Sequence, residues 1–94
     1  MAGVLATADG VVQLAAPSGD YGNLVIVSHG YGLVTRYGHL SKFAVWTGKQ
    51  VLRGEILGYV GATGRATGPH LHYEILASGK LMNPLQLLAG KAQD

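Results

Sequence analysis

Glycine constrains this chain more than any other feature. Fifteen of its 94 residues are glycine, recurring every few residues between short β-branched or aromatic runs. The runs are Val4–Thr7, Val11–Leu14, Leu24–Ser28, Leu33–Tyr37, Glu55–Val60 and Leu71–Leu76. Glycine at this spacing disfavours helices and permits tight turns. The pattern predicts short strands joined by turns, in an all-β antiparallel sandwich or barrel-like fold. Asp9-Gly10 reads as a hairpin turn. Ser18–Asn23 predicts a longer turn and Ser78-Gly79-Lys80 another. The run Leu24–His29 alternates with apolar residues on both faces, which marks a central strand. One helix is expected, over Pro84–Ala89. Asn83 suits its N-cap, Pro84 its first position and Gly90 its stop, with Lys91–Asp94 a frayed tail.

Length and composition narrow the function. A chain of 94 residues makes one small domain, here 1–94 without a linker or low-complexity segment. Its residues are 48% apolar and 13% charged, which is too apolar and too charge-poor for a disordered segment. No apolar run approaches the roughly 18–20 residues of a membrane span. No secretory leader pattern opens the chain. Cysteine is absent, which excludes disulfides and thiolate metal sites. The net charge of +2 comes from seven scattered basic residues, so no nucleic-acid footprint is present.

The histidines carry the remaining information: His29, His39, His70 and His72. His70 and His72 flank Leu71 in a strand-like run, and strand side chains alternate, so both point to one face. Two such imidazoles can share a metal, or one can bind metal while its neighbour acts on a substrate. A pair of ordinary strand histidines is the plain alternative. Glu74 continues the same face, as a ligand, as the acceptor that orients a histidine, or as a simple hydrogen-bonded strand residue. His39 closes the run Thr35–His39 at a strand end, a usual place for chemistry. The alternative is a core histidine with a satisfied hydrogen bond. His29 sits beside a turn and reads as structural or substrate-lining. Trp46 reads as a half-buried packing residue or, with Tyr31, Tyr37, Tyr59 or Tyr73, as an aromatic platform for carbohydrate.

Four segments then agree with one family. Gly64-Arg65-Ala66-Thr67-Gly68-Pro69-His70-Leu71-His72-Tyr73-Glu74 resembles the strongest signature of the M23 metallopeptidases, the lysostaphin/LytM type. Val27–Ser41 resembles that family's central hairpin, Thr47–Gly58 its next turn and strand, and Met82-Asn83-Pro84 the end of the domain. The match runs in order from about Val4 to Leu88. The resemblance implies an antiparallel β-sandwich with the family's duplicated-hybrid-motif-like topology. It implies zinc as cofactor and peptidoglycan cross-links or stem peptides as substrate, in a protein of the cell envelope or secreted. It implies His72 as a zinc ligand, His39 and His70 as catalytic histidines, and Tyr37 beside the substrate groove. It gives His29 no role at the metal, and His29 stays a groove candidate only from its place beside the turn.

One part of the family pattern is missing. The family's other two zinc ligands, a histidine and an aspartate, lie upstream of the strand that here reads Val4–Val12. Only Met1-Ala2-Gly3 precedes that strand, and Asp9 belongs to the turn after the missing pair. An incomplete zinc site is therefore expected, with weak or no activity for the isolated chain. A degenerate domain that binds cell wall or regulates another hydrolase is the alternative. A missing first strand would leave an unpaired edge, which invites dimerisation or strand exchange. The Gly48–Gly58 segment also resembles biotinyl/lipoyl carrier domains. Lys42 and Lys49 do not sit at the methionine-flanked hairpin tip that carriers use.

Overall fold

The computed structural model describes residues 2–82. The expected helix and tail, residues 84–94, lie outside the described residues. Those described form one antiparallel sheet of eight strands and a single 3₁₀ turn, Gly19–Tyr21. The strands are β1 (Gly3–Leu5), β2 (Gly10–Pro17), β3 (Asn23–Gly30), β4 (Leu33–Phe43), β5 (Gln50–Val51), β6 (Ile56–Val60), β7 (His72–Ala77) and β8 (Lys80–Met82). The expected all-β architecture is present, and β3 is central, between β2 and β4.

The sheet order is β1-β6-β4-β3-β2-β5, with β7 on β4 and β8 on β7. Val4 of β1 and Val51 of β5 come from opposite ends of that order, yet both belong to one core cluster with Val12, Val25, Val27, Tyr37, Leu40 and Leu57. The sheet must therefore curl until its ends meet. Thr7, between β1 and β2, ties that crossover to the middle of the sheet by bonding the Tyr37 hydroxyl of β4. The enclosed face is apolar because β1 to β6 turn Val4, Val12, Val25, Val27, Leu40, Val51 and Leu57 toward it.

Asp9-Gly10 is not a hairpin. β1 pairs β6, and β2 pairs β3 and β5. Gly10 serves close approach instead: a Cβ there would lie 2.4 Å from the Ser28 carbonyl oxygen. The Asp9 carboxylate accepts a bond from the Arg53 amide at 2.7 Å, which fastens this crossover to the next turn. Ser78-Gly79 is the expected turn, with both residues at positive φ (52° and 81°), as a two-residue β7–β8 hairpin requires.

The feature that positions the site is the split of β4. One edge of β4 pairs β3 from Leu33 to Leu40. The other edge pairs β7 over Leu33–Gly38 and β6 from Leu40 to Phe43. The partner changes at His39, whose φ is +62°. Between Val25↔Tyr37 and Asn23↔Leu40, β4 advances by one residue more than β3, which is a β-bulge.

Candidate active site

The bulge decides which way His39 faces. Strict alternation would put His39 on the core face, two residues after Tyr37. The extra residue and the left-handed φ break that phase, so Leu40 takes the core position instead and is fully buried. His39 turns to the opposite face. Its ring centroid lies 4.9 Å from that of His70 and 5.7 Å from that of His72. Left-handed φ in a non-glycine residue is strained, and such strain clusters at functional sites.

His70 and His72 reach the same place from β7. Register pairs His72 with Gly38, Tyr73 with Tyr37 and Glu74 with Arg36. His72, Glu74 and Arg36 thus share the outer face, while Tyr37 and Tyr73 face the core. His70 lies just before β7, held by its amide to the Gly61 carbonyl at 3.1 Å. The loop from β6 to β7 spans the fork between those two strands. Together Asp20, Tyr21, His39, Arg65, His70, His72 and Glu74 line a pocket of about 370 Å³.

Hydrogen bonds fix the tautomers. His39 Nδ1 meets the Thr63 carbonyl at 2.6 Å, and His70 Nδ1 meets the Gly68 carbonyl at 3.0 Å. A carbonyl can only accept, so each Nδ1 carries a proton, and each neutral ring keeps its lone pair on Nε2. His72 is reversed: its Nε2 donates to Glu74 Oε2 at 2.8 Å, which leaves the lone pair on Nδ1. The carboxylate is itself held. Tyr21 Oη donates to Glu74 Oε1 at 2.8 Å, and Arg36 Nη1 donates to the same oxygen at 3.3 Å. Burial alone would raise the Glu74 carboxyl. The bonds from His72, Tyr21 and Arg36 outweigh it and hold the group below the usual carboxylate range.

Two of the expected groove residues are elsewhere. Tyr37 is 1% exposed and packs in the core against Tyr73, at 5.3 Å between rings. It occupies the core phase of β4, which the bulge only interrupts after it. His29 lies on the core side of the sheet, bonded through Nε2 to Thr35 Oγ1 and through Nδ1 to the Asp9 carbonyl, each at 2.7 Å. Neither lines the pocket, so the expectation of a groove role for both is corrected. Trp46 is exposed rather than half-buried, and Lys49 lies over its ring at 5.6 Å.

Sequence reasoning missed Tyr21, Arg36, Thr63, Asp20 and Arg65 as site residues. Tyr21 read only as part of a turn. Arg36 needed the register of β4 on β7, which no single-chain pattern supplies. Thr63 is locked by its hydroxyl to Leu40 O at 2.7 Å and by the Asn23 amide at 3.0 Å. Beside it Gly64 has φ +75°, and a Cβ there would come within 2.3 Å of the Gly22 amide. Glycine is obligatory at that crossing, and it pins the pocket loop to the turn that carries Tyr21.

The fold has known counterparts. The family model described as peptidase family M23 matches residues 2–84. The chain belongs to peptidase family M23. The DD-carboxypeptidase/endopeptidase Mpg of Neisseria meningitidis is 48% identical over 84 residues, which covers 89% of this chain and 19% of that protein. The crystal structure of a protein assigned to peptidase M23 from Pseudomonas aeruginosa superposes with a TM-score of 0.89 at 42% identity, covering 97% of this chain and 40% of that one. A zinc-containing peptidase from Vibrio cholerae gives a TM-score of 0.82 at 38% identity, covering 97% and 27%. This M23 chain thus spans about a fifth of the length of the curated relative.

The donor set of the M23 chain fits part of a zinc site. His72 offers one oriented nitrogen with a carboxylate behind it, the usual support of a metal-binding imidazole. Catalytic zinc normally takes three protein ligands. Among the described residues no group of three His, Cys, Asp or Glu is placed to hold a metal.

Proposed function

We propose that this domain serves a zinc peptidase that hydrolyses peptide bonds of peptidoglycan, either cross-links or stem peptides. The observation that carries the reading is the fork in β4, where three histidines converge in complementary tautomers. His72 would hold zinc through Nδ1, with further ligands from outside the described residues. Zinc, when bound, polarises a carbonyl and makes water a better nucleophile. His39 and His70 each present an unprotonated Nε2. Either can take the proton of the attacking water, and the other, once protonated, can stabilise the developing oxyanion. The bonds to Thr63 and Gly68 hold both rings in the tautomer this requires. The names of the relatives support the substrate class, since the Neisseria protein is a DD-carboxypeptidase/endopeptidase. Such a substrate places the working protein in the cell envelope or outside the cell.

The test is a chimera in which this chain replaces the matching 84-residue segment of the Neisseria relative. The chimera should bind zinc and release muropeptides from purified sacculi. His72→Ala should lose metal, while His39→Ala and His70→Ala should keep metal and lose at least about a hundredfold in rate. The isolated chain should cleave weakly or not at all, since one ligand holds zinc loosely. A folded, zinc-loaded chimera that binds sacculi without cleaving them would favour a wall-binding or regulatory domain instead.

A further inference from the structure

The pocket is charged unevenly. Arg65 is the cationic side chain among its lining residues, which also include the carboxylates of Asp20 and Glu74. Its backbone is tightly held: the Arg65 amide donates to the Asp20 carbonyl at 2.9 Å, directly after the pinned Gly64. Its side chain is not. Nε lies 3.8 Å from Asp20 Oδ1, beyond hydrogen-bond distance, and the two side chains are 83% and 80% exposed. Such an exposed pair is weak. The terminal guanidinium nitrogens have no bond to any described residue. A planar fork of donors, fixed at its base and free at its tip, suits a carboxylate taken in two parallel bonds.

We propose that Arg65 is the specificity-determining residue of this pocket and takes a free carboxylate adjacent to the peptide bond to be cleaved. The inference rests on the peptidase reading above and deepens it. A carboxypeptidase cuts next to a C-terminal carboxylate by definition, and the Neisseria relative is named for both carboxypeptidase and endopeptidase activity. One pocket that serves both needs a group common to both substrates. When a D-centred diamino acid is cross-linked through the amine on that centre, the same carbon keeps a free carboxylate. Both substrates therefore present an anion one carbon beyond the scissile nitrogen. Arg36, the other cation near the site, is already committed to Tyr21 and Glu74. Asp20 holds Arg65 loosely at the rim and competes with the substrate for it.

Binding by the 94-residue chain tests this without metal. The probes are N-acetyl-D-alanyl-D-alanine and its C-terminal amide, titrated while the amide resonances of the pocket are followed by NMR. The wild-type chain should bind the acid about tenfold more tightly than the amide, the scale of one charge-assisted bond. Arg65→Ala should abolish that preference, weakening acid binding to the level of the amide, while leaving the unfolding midpoint unchanged. Arg65→Lys should keep part of it, because charge remains and the fork is lost. Asp20→Asn should strengthen acid binding by releasing the guanidinium. If both peptides bind but the wild type shows no preference, or Arg65→Ala retains it, the carboxylate role of Arg65 is wrong and the peptidase reading stands. If neither peptide binds at any pocket resonance, the carboxylate role of Arg65 is overturned as well, while the peptidase reading is decided separately by cleavage in the zinc-loaded chimera.

Discussion

Strands β4 and β7 carry two hydrogen-bond networks on their two faces, built from adjacent residues in one register. The outer network runs from Arg36 and Tyr21 through Glu74 to His72. It is charged and opens into the pocket. The inner network is neutral. It runs from the Tyr73 hydroxyl to Thr7 Oγ1 at 3.1 Å, on to Tyr37 Oη at 3.1 Å, to Thr35 Oγ1 at 2.7 Å, and then to His29 Nε2. His29 Nδ1 ends it at the Asp9 carbonyl. Each hydroxyl can donate once and accept once along that line, so the inner chain can be satisfied in one direction. The difference assigns the two faces distinct work. The inner chain ties the curled sheet to itself, since Thr7 precedes β2, His29 belongs to β3 and Tyr73 to β7. The outer chain spends its charge on the orientation of one imidazole.

That division is broken most forcefully at Tyr37. Tyr37→Ala removes a fully buried ring and leaves the Thr35 and Thr7 hydroxyls without their common partner. The expected loss is about 3–5 kcal/mol of unfolding free energy, read by urea denaturation. A domain of this size has only about 5–15 kcal/mol in total, so this variant can fail to fold. Tyr37→Phe is the finer probe. It keeps the ring and deletes the hub hydroxyl, with an expected loss of about 1–3 kcal/mol. Because Tyr37 does not line the pocket, zinc affinity in the chimera should hold for the folded fraction. A stable Tyr37→Phe protein with damaged metal binding would mean that the two faces are not separate.

Glu74→Gln attacks the other face. The amide keeps the shape and loses the charge, so His72 loses the acceptor that fixes its tautomer. Zinc affinity of the chimera should fall about tenfold to a hundredfold, measured by chelator competition. Stability should change by about 1 kcal/mol or less, because Tyr21 and Arg36 still find an oxygen at that position. A large stability loss with unchanged zinc affinity would reverse the assignment of the two networks.

These two faces also show how much was legible in sequence. The glycine spacing and β-branched runs were sufficient for six of the eight strands, because turn chemistry and alternation are local properties. Alternation placed His70, His72 and Glu74 on one face. The register pairs His72 with Gly38 and Glu74 with Arg36 on that face, while His70 precedes β7 and reaches the pocket from the loop. Alternation failed at His39. A bulge adds one residue to β4 without a sequence mark, and Gly38-His39 does not announce it. Alternation alone would put Tyr37 and His39 on the same face, while the structure sends Tyr37 to the core and His39 to the pocket. Short β5 and β8 escaped because strands of two and three residues have too few positions to show a period. Arg36 and Tyr21 were invisible for a different reason: their roles depend on long-range pairing with Glu74.

The smallest expected effect concerns a charge pair outside both networks. Lys49 pairs with Glu55, whose other carboxylate oxygen accepts the Leu52 amide at 3.1 Å. The Lys49 bond first, and the Leu52 amide second, hold the Glu55 carboxyl below its ordinary value. A carboxyl lowered in the folded state is stabilising above its unfolded pKa, and that contribution disappears as pH falls through the lowered folded value. Glu55→Gln should therefore flatten the acid limb of the melting temperature against pH and leave the zinc affinity of the chimera unchanged. The pair is solvent-facing and screened, so its share of the acid limb should shrink further in high salt. An acid limb unchanged by Glu55→Gln would move the acid sensitivity of the domain to the pocket, where Glu74 is the lowered carboxyl, and would join stability to the site instead of separating them.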